Sequence, residues 1–92
     1  MASVESRLSE LQLQVYDLIR SAGWEGMTVD EIEAKTGRTH QSISARVNEL
    51  ENWKPTPLIE RRASKRKTRA GRPAWIFVAY GIKRVNKEDA TN

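Results

Sequence analysis

Two helix-start signatures constrain this chain more than anything else in it. Ser9-Glu10-Leu11-Gln12 and Thr28-Val29-Asp30-Glu31 each set a hydroxyl residue three positions ahead of Gln or Glu. That is the spacing at which the hydroxyl takes the N3 amide and the N3 side chain reaches back to the cap amide. Leu8 and Leu13 flank the first box, and Met27 and Ile32 the second, as hydrophobic staples. After Ser9, the residues Leu11, Val15, Leu18, Ile19 and Ala22 recur at helical spacing and predict one buried stripe. Gly23 is the expected stop. The second helix starts at Thr28 with Asp30, Glu31 and Glu33 near its positive end and stops at Gly37, after about two turns. So short a helix is held by packing rather than by propensity.

A third helix follows almost at once. Thr39 is its expected N-cap, and Ile43, Val47 and Leu50 its apolar stripe. Its other face is polar, with His40, Gln41, Ser44 and Asn48, and Arg46 at the flank. The connection of about four residues containing Gly37 fits the tight turn of a helix-turn-helix. Pro55 and Pro57 then end helix formation. Leu58–Arg62 reads as a short strand, and Trp75–Tyr80, aromatic and β-branched, as a stronger one. The polar stretch from Ala63 to Pro73 between them is expected to be a mobile loop joining two antiparallel strands. The expected fold class is α+β: three helices followed by a two-stranded antiparallel hairpin. One domain is expected over residues 9–80, with a flexible segment at 1–8 and a polar tail at 81–92 that frays.

Charge is divided unevenly along the chain. Residues 1–53 carry five Lys and Arg against nine Asp and Glu, whereas residues 54–92 carry eleven against three. A basic half of this kind suits a polyanionic partner. Seven cations, Arg61, Arg62, Lys65, Arg66, Lys67, Arg69 and Arg72, fall within twelve residues that contain no acid.

The order of elements resembles the winged helix-turn-helix family over roughly residues 8–80. The resemblance rests on Thr28–Gly37, on His40–Leu50, and on Leu58-Ile59 followed by a hairpin containing Gly71-Arg72. It points to small phage-type or prokaryotic regulators. It implies a DNA-binding protein, a transcriptional regulator or phage accessory protein, with its third helix in the major groove and its basic wing on phosphates or in the minor groove. His40, Gln41, Ser44 and Asn48 would face base edges, since Gln and Asn pair with adenine in a bidentate way. Thr39 and the first-turn amides would hold a phosphate, and Arg38 and Arg46 would flank the backbone. If about five wing cations make contact, affinity should fall with salt at a log–log slope of about −4 to −5. The segment Arg72-Pro73-Ala74-Trp75 is similar to the Pro-x-Trp wing of Z-form readers. Those readers also need an Asn and a Tyr on the recognition helix, where this chain has Ser44 and Asn48. Trp75 is therefore expected to anchor the base of the wing against the core.

Other classes fit poorly. The chain has no Cys and one His, so thiolate and His-rich metal sites are excluded. No cofactor is expected, and with no nucleophile motif or phosphate-cradling glycine loop an enzyme is not expected. No apolar run reaches the roughly 20 residues of a membrane span, and the N-terminus does not read as a secretion signal. The expected setting is the cytoplasm of a bacterium or phage-infected cell. The expected partner is double-stranded DNA, bound by a monomer or a weak homodimer formed on DNA. The rival reading is an adaptor of a replication or transcription complex whose acidic first half docks a protein partner; RNA binding by the wing is a third.

Overall fold

A computed structural model describes residues 7–82 of the chain. The expected fraying of the tail from residue 83 on, and the first six residues of the expected flexible segment, lie outside the described residues. The order is α1 (Glu10–Ser21), a 3-10 turn (Gly23–Glu25), α2 (Val29–Thr36), α3 (His40–Glu51), β1 (Ile59–Lys67) and β2 (Pro73–Ala79). The class is α+β, with the two strands in one antiparallel sheet.

Local chemistry places each helix start. Ser9 Oγ accepts from the Gln12 amide while Gln12 Oε1 accepts from the Ser9 amide, at 3.2 and 2.9 Å. Thr28 and Glu31 repeat the exchange at 3.1 and 2.8 Å. Thr39 caps α3 by accepting from the Ser42 amide. Gly37 closes α2 in the left-handed conformation, at φ 71°.

The helices converge on a core of Val15 and Ile19 from α1, Ile32 from α2, and Ile43, Val47 and Leu50 from α3, joined by Met27, Ile59 and Phe77. Full burial of each large side chain contributes about 1.5–3 kcal/mol. Leu8, assigned by sequence to the flanking segment, packs against this core.

Met27 and Phe77 exchange backbone hydrogen bonds, both at 2.9 Å, so the residue before the α2 cap lies beside β2 like a one-residue third strand. This approach requires glycine at position 26, where φ is 62° and ψ −167°. A Cβ there would stand 2.3 Å from the Phe77 carbonyl oxygen.

The hairpin differs from the sequence expectation. The stretch from Ala63 to Pro73 is not the expected mobile loop but mostly strand: β1 runs on to Lys67 and β2 begins at Pro73. A ribbon that leaves the core needs no apolar alternation, because its outer part is held by the ladder and by polar side chains. The turn itself is short. Thr68 donates to the Arg72 carbonyl and Gly71 donates to the Thr68 carbonyl, with Gly71 at φ 80°. A left-handed glycine closing a three-residue connection is a common hairpin solution. Between Arg61↔Phe77 and Lys65↔Trp75 the register shifts, with Arg62, Ala63 and Ser64 on β1 opposite Ile76 alone. Such a bulge bends the ribbon and re-aims its side chains.

Candidate nucleic-acid interface

The polar face of α3 is built by the same spacing that buries its apolar stripe. With Ile43, Val47 and Leu50 turned inward, His40, Gln41 and Asn48 are exposed and Ser44 is half-buried. At about 100° per residue, Ala45 and Asn52 fall in the same sector as Gln41 and Asn48. Neither was singled out by sequence, although the helical period alone would have found both. His40 Nδ1 lies 2.8 Å from Glu33 Oε2, which leans the imidazole toward α2. Arg38, just ahead of the helix, is exposed. Arg46 is turned along the helix instead. Its Nε and one terminal nitrogen donate to the two oxygens of Glu49 at 2.7 and 2.9 Å, and Glu49 also accepts from Gln12 of α1. The Gln12 and Arg46 hydrogen bonds hold the Glu49 carboxyl below the usual range.

The seven hairpin cations divide into two sets. Arg66 donates to both Glu31 oxygens at 2.9 and 2.8 Å, and to the carbonyls of Glu25 and Gly26. Arg69, in the turn, bonds Asp30 through its backbone amide and its Nε. Arg62 donates to the Trp24 carbonyl at 2.9 Å and lies 4.5 Å over the Trp24 ring. Arg61 reaches Glu51 at the end of α3 at 3.3 Å. Sequence placed no acid within this run, but folding brings Asp30, Glu31 and Glu51 against it. Burial works to raise the Glu31 pKa, yet hydrogen bonds from Arg66 and the Thr28 amide leave it lowered. The Arg69 side-chain and backbone hydrogen bonds likewise lower that of Asp30.

The second set is Lys65, Lys67 and Arg72. These are exposed, and among the described residues none is paired with a carboxylate. Lys65 and Lys67 pair across the ribbon with Trp75 and Pro73. Lys65 Nζ stands 4.4 Å from the centre of the Trp75 ring, and the Arg61 guanidinium 5.2 Å from it. Trp75 is not a core anchor: it is 38% exposed, and Phe77, two residues on, fills the core position. Sequence could not separate these two aromatics, because strand alternation puts both on one side of the ribbon and only the reach of the helical layer decides which is covered.

Elsewhere, a pocket of about 570 Å³ opens beside Leu18, Ala22, Met27, Lys35 and Arg66. Among the described residues no group of three His, Cys, Asp or Glu side chains is placed to hold a metal ion, and no helix is long and apolar enough to cross a membrane. No family model, characterised protein or solved structure compared with the chain matches it.

Proposed function

We propose that the chain is a winged-helix DNA-binding protein of the regulator or accessory type. In this reading α3 lies in the major groove, and the hairpin is a wing resting on the phosphates. The observation that carries it is the sorting of the basic residues. Arg62, Arg66 and Arg69 are bonded inward. Lys65, Lys67, Arg72 and Arg38 remain exposed with no acidic partner among the described residues. Glu31 and Asp30 offset the charges of Arg66 and Arg69, whereas Lys65, Lys67 and Arg72 leave three uncompensated cations on the same hairpin. Phosphate contacts by the second set would position the domain, and the uncharged α3 face would meet base edges. Cytoplasmic action on double-stranded DNA, without a cofactor or catalysis, follows from this reading.

The adaptor reading draws less support. Three acids of the first half, Asp30, Glu31 and Glu51, are bonded to the chain's own hairpin and so are not a free acidic docking face. The test is fluorescence anisotropy with a labelled random-sequence duplex at low and high salt, using the wild type and a Lys65→Ala/Lys67→Ala/Arg72→Ala variant. Tight low-salt binding that the triple change weakens at least tenfold is expected. Undiminished affinity in the variant, or no wild-type binding at low salt, overturns the proposal.

A further inference from the structure

Asn48 and Asn52 form a pair of amides whose orientation is fixed by geometry. Asn52 Nδ2 donates to the backbone carbonyl of Asn48 at 2.8 Å and to Asn48 Oδ1 at 3.0 Å. The first bond settles which end of the Asn52 amide faces Asn48, because only its NH2 group can donate to a carbonyl. The Asn48 atom facing that NH2 must then be its oxygen. Asn48 is left with one free lone pair on Oδ1 and, among the described residues, an uncommitted NH2 group. Asn48 is exposed on the polar face of α3, and Asn52, the residue that caps the C-terminus of that helix, is exposed beside it.

That face carries no formal charge along its centre. Gln41, Ala45, Asn48 and Asn52 occupy a sector about 60° wide. The one arginine within α3, Arg46, is engaged by Glu49. In the major groove, guanine offers two acceptors and calls for two donors, as arginine supplies. Adenine offers an acceptor at N7 and a donor at N6, and calls for one donor beside one acceptor. An amide with its nitrogen and oxygen already oriented meets the adenine pattern without first losing rotational freedom.

We infer that Asn48 is the specificity-determining residue for an adenine in the major groove, and that Asn52 is the positioning residue that holds the Asn48 amide ready to read it. The inference rests on the DNA-binding reading above and names what that site recognises. Asn52 touches no base in this role, and it acts only through the 3.0 Å bond to Asn48.

The experiment is affinity selection from a random-sequence duplex pool with the full chain, followed by sequencing. The wild type should enrich A·T over G·C about tenfold at one position at least. Asn48→Ala should abolish the preference at that position alone. Asn52→Ala should reduce it several-fold at the same position while leaving affinity for the unselected pool within about twofold. Replacing that adenine by 7-deazaadenine removes the N7 acceptor. It should weaken the wild type about tenfold and leave Asn48→Ala unaffected, a comparison that does not depend on how Asn52→Ala folds. A guanine preference at the position, or an adenine preference that survives both substitutions, overturns the inference. Binding without any A·T preference overturns it while leaving the DNA-binding reading intact, whereas no binding to the pool at low salt overturns both.

Discussion

Glu31 Oε1 accepts at 2.8 Å from two donors of different origin, the backbone amide of Thr28, the residue that caps α2, and a terminal nitrogen of Arg66 on β1. One carboxylate therefore both starts a helix and fastens the hairpin to it. The two roles are separable, since glutamine also completes a capping box but carries no charge. Glu31→Gln should keep α2 and weaken the attachment of the hairpin, costing about 1–2 kcal/mol for a charged, partly exposed pair. Arg66→Ala should cost about 1–3 kcal/mol, because it also strips the Glu25 and Gly26 carbonyls of a donor. Urea unfolding of the two single variants and the double variant measures the coupling. Strictly additive losses would show that the ion pair contributes nothing.

Acid should loosen the molecule through three carboxylates. Asp30, Glu31 and Glu49 all titrate below their ordinary values of 3.8, 4.5 and 4.5 in the folded state. A carboxyl depressed on folding adds stability above its unfolded pKa and loses it as pH falls through the folded one. The thermal midpoint should be flat above about pH 5 and fall progressively below it. In Glu31→Gln the fall should be shallower. A midpoint that rises on acidification contradicts the pairing of these groups.

Gly26→Ala should be among the most damaging single changes. The φ 62°, ψ −167° conformation is nearly restricted to glycine and costs a side chain about 1–3 kcal/mol before any clash. The added methyl would also meet Phe77 O, Ile76 and Val78, all under 3 Å away. Gly71→Ala, with nothing within 4 Å of its would-be Cβ, should cost only the backbone strain. Thermal unfolding of the two variants side by side gives the comparison, and equal losses would refute the close-packing account.

On the proposed DNA-binding reading, the exposed cations would set the salt response. Four phosphate contacts, from Arg38, Lys65, Lys67 and Arg72, would give a log–log slope of about −3 to −4, and removing the three hairpin residues should bring it to about −1. Arg69→Ala, which removes a cation already bonded to Asp30, should change the slope much less. A slope lost equally in both variants would mean that Arg69 leaves Asp30 to meet phosphate.

Much of the helical part was legible in the sequence because its determinants are local. Ser9, Thr28, Thr39 and Gly37 act within three or four residues of themselves, and each lies at the boundary its chemistry predicts. Ile43, Val47 and Leu50 declare the inner face of α3 by period alone. The hairpin was less legible. Lys65, Arg66 and Lys67 look like loop residues, and become strand only because Trp75, Ala74 and Pro73 stand opposite them. The pairing of Arg66 with Glu31 across thirty-five residues leaves no local trace. For the candidate site, the sequence named the polar face of α3 but not the Asn48–Asn52 contact. It counted the basic residues without revealing which of them the acidic turn of α2 neutralises.

The two hydrogen bonds between Met27 and Phe77 make the first helices dependent on the last strand. The residue that leads into α2 finds its backbone partner about fifty positions later. A chain emerging from the ribosome carries the caps of all three helices, but the eight residues of α2 need packing to persist, and the core cannot close until β2 has been made and placed between Met27 and β1. Such distant closure is entropically costly and slows folding. The helices thus wait on the hairpin, and a product cut short before β2 would lack Phe77, which both fills the core and secures the entry to α2.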